Sequence, residues 1–247
     1  MIQTAKFWLS IIGFLTCTTN QLFAQKDAAG YIQIQSGISI SSGDYASVSF
    51  NNPASGYAKD GFTTSLLLGH NIKGYFGLFA MLNLQFNGFN SKAYENNLNE
   101  VLYNFNWKVN SGTAWSVTGL AFGPHISIPM HKFALDLRAC GGFLNFKSPE
   151  IELFVKNKNQ SLPDRNLLIT SASSTSFSLG LGASIKYEFK RDWVVTLNAD
   201  AFSGVGEFKD IENKISLFGQ DLVYLEKQNM IQEYNNLLLT AGVGFIF

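Results

Sequence analysis

Residues Tyr234–Phe247 read YNNLLLTAGVGFIF. Leu237, Leu239, Ala241, Val243, Phe245 and Phe247 fall on one side of an alternating pattern. Asn236, Leu238, Thr240, Gly242, Gly244 and Ile246 fall on the other. A period of two places successive side chains on opposite faces of a β-strand, whereas a helix would repeat every 3.6 residues. The run stays apolar to its last residue.

The same period recurs along the chain. Strands are expected over Gly30–Ser41, Gly61–Asn71, Tyr75–Asn87, Thr113–Ile128, Phe133–Phe146, Thr175–Phe189 and Trp193–Phe202, with Tyr234–Phe247 as the eighth. Ile72-Lys73-Gly74, Pro129–Lys132 and Lys190-Arg191-Asp192 are tight turns, with Gly74 placed to take the left-handed conformation of a three-residue hairpin. Between them lie long, polar connections: Ser42–Asp60, Gly88–Gly112, Lys147–Ser174 and Ser203–Glu233. Ile151, Leu153 and Val155 keep the outward phase of the fifth strand, so that hairpin is expected to continue beyond the bilayer. Pro124 lies inside the fourth strand, where it removes a ladder hydrogen bond, and a bulge is expected there.

The 247 residues carry no formal net charge, and charged residues make up only 15% of them, against roughly 25% in an average soluble domain. A zero balance gives no reason to expect nucleic acid or a strongly acidic partner. Residues 1–24 read as a secretory signal: Lys6, the apolar run Phe7–Leu15, and Leu22-Phe23-Ala24 before a cleavage expected ahead of Gln25. Cys17 lacks the small preceding residue of a lipidation site. Residues 25–247 are then one β domain with Cys140 as its cysteine, so its sheet must hold it without an internal disulfide.

Alternation alone does not say which face is outside. A soluble ligand-carrying barrel would turn its apolar face inward and a Lys- and Glu-rich face to water. Here the polar face is Gly, Ser, Thr, Asn and Gln, suited to a narrow lumen. The other face is Leu, Ile, Phe and Val, suited to hydrocarbon. Tyr31, Tyr75, Phe133, Tyr187 and Trp193 lie near the short-turn ends, as an interfacial girdle would. The expected fold is all-β: a transmembrane antiparallel up-and-down β-barrel of about eight strands, with long extracellular loops and short periplasmic turns.

This pattern, over the whole of residues 25–247, resembles the small eight-stranded outer-membrane barrels of Gram-negative bacteria, of the OmpA-transmembrane and OmpX kind. The segment GPHISIPMHKFALDLRACGGFLNF, Gly123–Phe146, is similar to hairpins of the outer membrane β-barrel proteins of Bacteroidota. The resemblance implies location in the outer membrane and contact with its lipid. Phe247, preceded at alternate positions by Leu239, Ala241, Val243 and Phe245, resembles the terminal signal read by the barrel-assembly machinery.

Chemistry-bearing residues are few. Outer-membrane proteases, phospholipases and deacylases use a His beside Ser, Asp or Glu toward the extracellular side. His70 is expected in the lipid-facing phase, His125 inward in the lower third of its strand, and His131 in a periplasmic turn. Six groups share the inward phase: His125, Asp136, Arg138, Lys186, Glu188 and Asp200. Charges in a lumen are costly unless paired, so a network plugging the barrel is expected. A polar path for small solutes is the alternative. No zinc, calcium, phosphate-loop or nucleophile-elbow spacing occurs, and no cofactor is expected. Ile211, Ile215, Leu217, Phe218 and Tyr224 are unusually apolar for a loop and form a candidate patch for an extracellular or envelope partner. The expected role is a non-enzymatic surface protein with working loops. A narrow channel and a lipid-modifying enzyme stand as alternatives.

Overall fold

The computed structural model describes residues 30–158, 163–217 and 223–247. The expected signal segment lies outside them. Eight long antiparallel strands form the wall: β1 Gly30–Ser42, β2 Ala58–Lys73, β3 Phe76–Phe89, β5 Trp115–Met130, β6 Phe133–Lys147, β9 Ser173–Lys190, β10 Trp193–Leu217 and β11 Val223–Ile246. Each pairs with its neighbour, and β11 pairs with both β10 and β1, so the sheet closes on itself. At the seam Gly30 N donates to Phe247 O at 2.9 Å and Phe247 N to Gly30 O at 2.8 Å.

The registers define the barrel's geometry. Moving sideways from Ile32, paired residues are Leu68, Ala80, Phe122, Gly141, Leu179, Ser203 and Asn235. Asn235 pairs with Ser42, ten residues along the strand from which the circuit began. With about 3.3 Å per residue and roughly 4.8 Å between strands, that offset tilts the strands by roughly 40°.

Outward positions are the expected ones: Ile34, Leu82, Phe122, Leu181 and Leu197 all stand exposed on the wall. From the turn end up to Ser203 and Leu237 the outward positions carry no Asp, Glu, Lys or Arg. Ser36 and Thr64 are outward but bond each other at 3.0 Å, and Thr64 also donates to Gln35 O at 3.1 Å. A closed ladder with such an exterior keeps its backbone groups paired toward hydrocarbon, which makes this a transmembrane β-barrel. The short turns each contain a residue at positive φ: Gly74 (56°), His131 (59°) and Asp192 (67°). Tyr75, Phe133, Tyr187 and Trp193 are exposed at this end. Tyr31 is not part of that girdle. It shares the phase of Gln33 and Gln35 and is buried in the lumen.

Pro124 makes no bulge. The β5–β6 register passes from Phe122↔Gly141 to His125↔Arg138 without a shift, and Pro124 stays paired with Leu78 on its other side. The missing N–H is absorbed as a local lapse in one ladder.

The long connections are largely folded. The first carries a short helix, α1 Gly43–Ala46. The second carries helix α2 Ser91–Val101 and strand β4 Phe105–Gly112; the third carries β7 Ile151–Asn157 and β8 Arg165–Ile169. The expected fourth loop, Ser203–Glu233, is instead the upper part of the β10–β11 hairpin. Above the bilayer the alternation persists with its chemistry inverted: Glu207 and Lys209 face outward, while Phe208 and Ile211 are buried inward. β7 does not continue β6. Ser148, Pro149 and Glu150 separate them, and β7 pairs with β4 and β8. Ile151, Leu153 and Val155 are consequently buried rather than outward, the first two in a small second core with Leu98. β8 pairs with the top of β10, so β10-β8-β7-β4 forms a side sheet beyond the ring.

That side sheet ends at β4, whose free edge is covered by side chains of α2. The Asn99 carboxamide accepts from Trp107 N and donates to Trp107 O, both at 2.8 Å, as a neighbouring strand would. Glu95 Oε2 accepts from Val109 N at 3.0 Å. Edge strands need such cover to avoid pairing with another chain.

Two outcomes check this architecture. Leu82 lies roughly 15 Å above the turn end of β3, near the middle of a bilayer core. Leu82→Arg is expected to lower the unfolding free energy in lipid vesicles by roughly 2–4 kcal/mol; an unchanged value would invert the faces. The Val109 N–H bond, followed by the Lys92 ammonium, holds the Glu95 carboxyl below the usual glutamate range. A depressed folded-state value means the bond is intact at neutral pH and lost as pH falls through that value. The Val109 amide resonance should therefore titrate with a midpoint below that of an ordinary glutamate, and Glu95→Gln should remove the titration.

Candidate functional site

The lumen is filled in three tiers. Nearest the short turns is a charged tier. Asp136 on β6 pairs with Lys186 on β9, and its other oxygen accepts from Ser127 Oγ at 2.7 Å. Arg138, two residues along the same face of β6, donates through Nη2 to Asp200 Oδ1 on β10 at 2.8 Å. All four are buried, with Asp136 at 0% exposure and Arg138 at 4%. Gly182 lies between Arg138 and Asp200 in the registers, and a Cβ there would strike the Asp200 carboxylate. Tyr31 and Phe79 are the hydrocarbon side of this tier. The Lys186 ammonium sits 3.3 Å from the Tyr31 ring centre, and the Arg138 guanidinium 5.9 Å from that of Phe79. Cations over ring faces are attracted by the ring quadrupole, which supplements each carboxylate partner.

His125 is also buried here. Its Nε2 is 2.8 Å from Asn71 Oδ1, and its ring meets Tyr31 edge-on at 5.7 Å. Five of the six expected luminal groups are thus buried in the lumen: His125, Asp136, Arg138, Lys186 and Asp200. Glu188 is not. It has the inward parity but lies beyond the rim and is exposed. His70 is outward and half-buried, and His131 is in the β5–β6 turn. Cys140 faces inward, half-buried, with Gly180 making room for its sulfur and for Phe202. Tyr31 is the member of this tier that the sequence reading assigned elsewhere, although its parity with Gln33 places it correctly.

The middle tier is an amide and hydroxyl network. Gln33 Nε2 donates to Gln35 Oε1, Thr196 Oγ1 and Asn198 Oδ1 at 2.6, 2.8 and 3.1 Å. Higher up, Asn83 Nδ2 donates to Ser65 Oγ at 2.8 Å, and Asn236 Nδ2 to Gln85 Oε1 at 2.9 Å. Tyr234 Oη donates to the same Gln85 oxygen at 2.5 Å. The upper tier is aromatic. Tyr45 of α1 packs against Trp115 and Tyr234 with ring centres 5.4 and 5.2 Å apart, and Phe208 and Phe146 close the remaining sides. Trp115 Nε1 donates to Gly56 O at 2.9 Å, which ties the first connection over the barrel mouth.

Above this lid the folded connections enclose a cup of about 610 Å³. Its lining includes Trp115, Tyr57, Tyr94, Ile169 and Ile211. Of the candidate loop patch, two members have a described burial. Ile211 is buried in the main core, and Ile215 is half-buried on β10 opposite Leu167. Leu217 and Tyr224 belong to β10 and β11, and Phe218 lies outside the described residues. Leu239, Ala241, Val243, Phe245 and Phe247 form one exposed row on the lipid-facing side.

The ion pairs make a direct prediction. Asp200→Leu leaves Arg138 buried without its counter-charge and is expected to cost roughly 3–5 kcal/mol of unfolding free energy. The double variant Arg138→Met/Asp200→Leu should recover most of that loss, measured by denaturant unfolding in lipid vesicles. A double variant as unstable as the single one would contradict a pairwise role.

No family model and no curated protein matches the chain. Solved structures similar to it include Neisserial surface protein A, with 12% identity over 89% of this chain and 99% of that one, TM-score 0.45. The attachment invasion locus protein Ail of Yersinia pestis has 14% identity over 89% and 99%, TM-score 0.44. A major outer membrane protein from Thermus thermophilus has 13% identity over 90% and 100%, TM-score 0.41.

Proposed function

We propose that this chain is an integral outer-membrane barrel whose lumen is a seal and whose working part is the folded extracellular end. One observation carries the reading: the lumen is occupied along its length by ion pairs, amides and an aromatic lid. Above that lid, three of the connections build ordered structure of their own. Eight strands leave an interior just wide enough for side chains, and here side chains fill it. A conducting path would require Tyr45, Trp115 and Tyr234 to part and the two buried ion pairs to admit water. Catalysis finds no support in the placement of histidines, because none lies among the connections at the far end. The role is thus one of anchorage, with surface interaction at the loop end.

The row ending in Phe247 serves, in this reading, as the recognition element for the barrel-assembly machinery. The segment ahead of Gln25 directs export and is removed. Outer-membrane lipid covers the apolar band.

Planar-bilayer recording of the purified protein is expected to show no conductance steps. Steps that persist after removal of contaminating porins would replace the seal with the channel reading. On intact cells, external protease is expected to cut only within 43–57, 90–114, 148–172 and 204–233, leaving a barrel that migrates faster unheated than heated. Recovery of the protein in the soluble fraction, without that mobility shift, would overturn the membrane reading altogether.

A further inference from the structure

A second hollow, a groove of about 570 Å³, lies on the outer wall of the barrel. One row of paired residues in its lining is Ala139, Leu181, Ala201 and Leu237. The next row toward the loop end is Leu179, Ser203, Asn235 and Ser42. Both rows have the outward parity. A mismatch of size makes the groove. Leu179 and Leu181 on β9 stand 63% and 69% exposed, whereas β10 beside them presents only Ala201 and Ser203. Small side chains between large ones leave a hollow whose lining forfeits dispersion contacts unless something fills it.

Height in the wall decides the occupant. With strands tilted by roughly 40° and about 3.3 Å per residue, Ser203, ten residues up β10 from Trp193, stands roughly 25 Å above the turn end. That is the height of the apolar band of an outer-membrane barrel. Ala139, six residues up β6 from Phe133, stands roughly 15 Å above the same end. The groove therefore opens into the outer half of the hydrocarbon and ends where hydrocarbon gives way to headgroups. Lipid already covers this wall, so an acyl chain is what enters.

The polar row adds a second element. Ser42 Oγ donates to Asn235 O at 3.2 Å. The carboxamide of Asn235, half-buried, and the hydroxyl of Ser203, exposed, have no hydrogen-bond partner among the described residues. A polar group at the edge of hydrocarbon is costly without a partner. The carbonyl that joins an acyl chain to its headgroup lies at this interface and can accept from either donor. Among the described residues that line the groove none is charged, so it offers no counter-charge to a headgroup phosphate.

We propose that the groove holds one acyl chain of an outer-leaflet lipid, the chain beside Ala139, Leu181, Ala201 and Leu237 and its carbonyl accepting from Asn235 Nδ2 or Ser203 Oγ. This site rests on the membrane reading and goes beyond it, because a lipid fixed at one place differs from the lipid that merely surrounds the wall.

The test is native mass spectrometry of the full barrel released from detergent micelles. The probes are dioleoylphosphatidylcholine and its dialkyl ether analogue, which lacks the carbonyls. The ester lipid should add as one saturable adduct. Ala201→Trp and Ala139→Phe, each filling the groove, should abolish it. Leu82→Trp, outward on β3 and four strands away around the ring, should not. The ether lipid should bind wild type about fivefold more weakly, the worth of one hydrogen bond. The double variant Ser203→Ala/Asn235→Leu should lose that preference. Heat-modifiable mobility of each variant reports whether the barrel is folded. No saturable adduct, or one unchanged by both filling substitutions in folded barrels, would overturn the proposal and leave the membrane reading standing. A wild-type dimer that Ala201→Trp dissociates, without a saturable lipid adduct, would also overturn it and give the groove to a second copy. Equal binding of the two lipids would overturn the role of the carbonyl. Failure of the membrane reading is distinct, and would show as a wild-type protein without the mobility shift.

Discussion

A backbone N–H or C=O facing hydrocarbon without a partner costs several kcal/mol, and a sheet with two open edges would expose a row of them. The pairing of β1 with β11 removes both edges at once. Everything else follows from that closure. It fixes a common inward parity for all eight strands, it sets the tilt through the ten-residue offset, and it encloses a space too narrow to be left to bulk water. The side chains that enter that space must then satisfy one another. Asp136 with Lys186 and Ser127, Arg138 with Asp200, and the Gln33 and Gln85 networks do so.

The same constraint separates the two ends of the molecule. At the turn end, chain reversal is achieved in two residues, one of them left-handed, and the wall stops. At the other end the strands outlast the bilayer. Once outside it, β10 and β11 need no longer present hydrocarbon outward, and the sheet becomes an ordinary water-facing one with an apolar inner side. The first connection folds over the mouth, while the second and third add a side sheet. The cup is the space left between these layers. Its residues come from regions that have little in common in sequence, which is typical of pockets formed where separate units meet.

Parity was the part of this fold legible in the sequence. Ile32, Leu66, Leu82 and Phe245 announced their face, and His125, Asp136, Arg138, Lys186 and Asp200 the opposite one. Depth was not legible. Glu188 has the inward parity but stands past the rim, and Tyr31 has the luminal parity although an aromatic near a turn suggests the interface. Nor does alternation identify the neighbour. Ile151, Leu153 and Val155 alternate as β6 does, yet the break at Ser148 and Pro149 hands them to β4. The upper β10–β11 hairpin was hidden for a further reason: Glu207, Lys209 and Glu233 make it read as a polar loop, when they are only the outward half of a strand in water. The cup could not be read from the sequence at all, since Tyr57, Tyr94, Ile151 and Ile169 meet only through the folding of three connections.

The ten-residue offset has a consequence for how such a chain can vary. It is a property of the whole circuit, so every strand shares in it. Adding one residue to the middle of any wall strand would turn the rest of that strand inside out, setting charges in lipid and leucines in the lumen. Adding two would keep the faces but change the circuit from ten, and with it the tilt and the bore that the present side chains fill. Changes of length are therefore confined to the connections, where the ring does not register them. The cup is built from those connections. The part of the molecule that can change freely in size is thus the part that meets the outside.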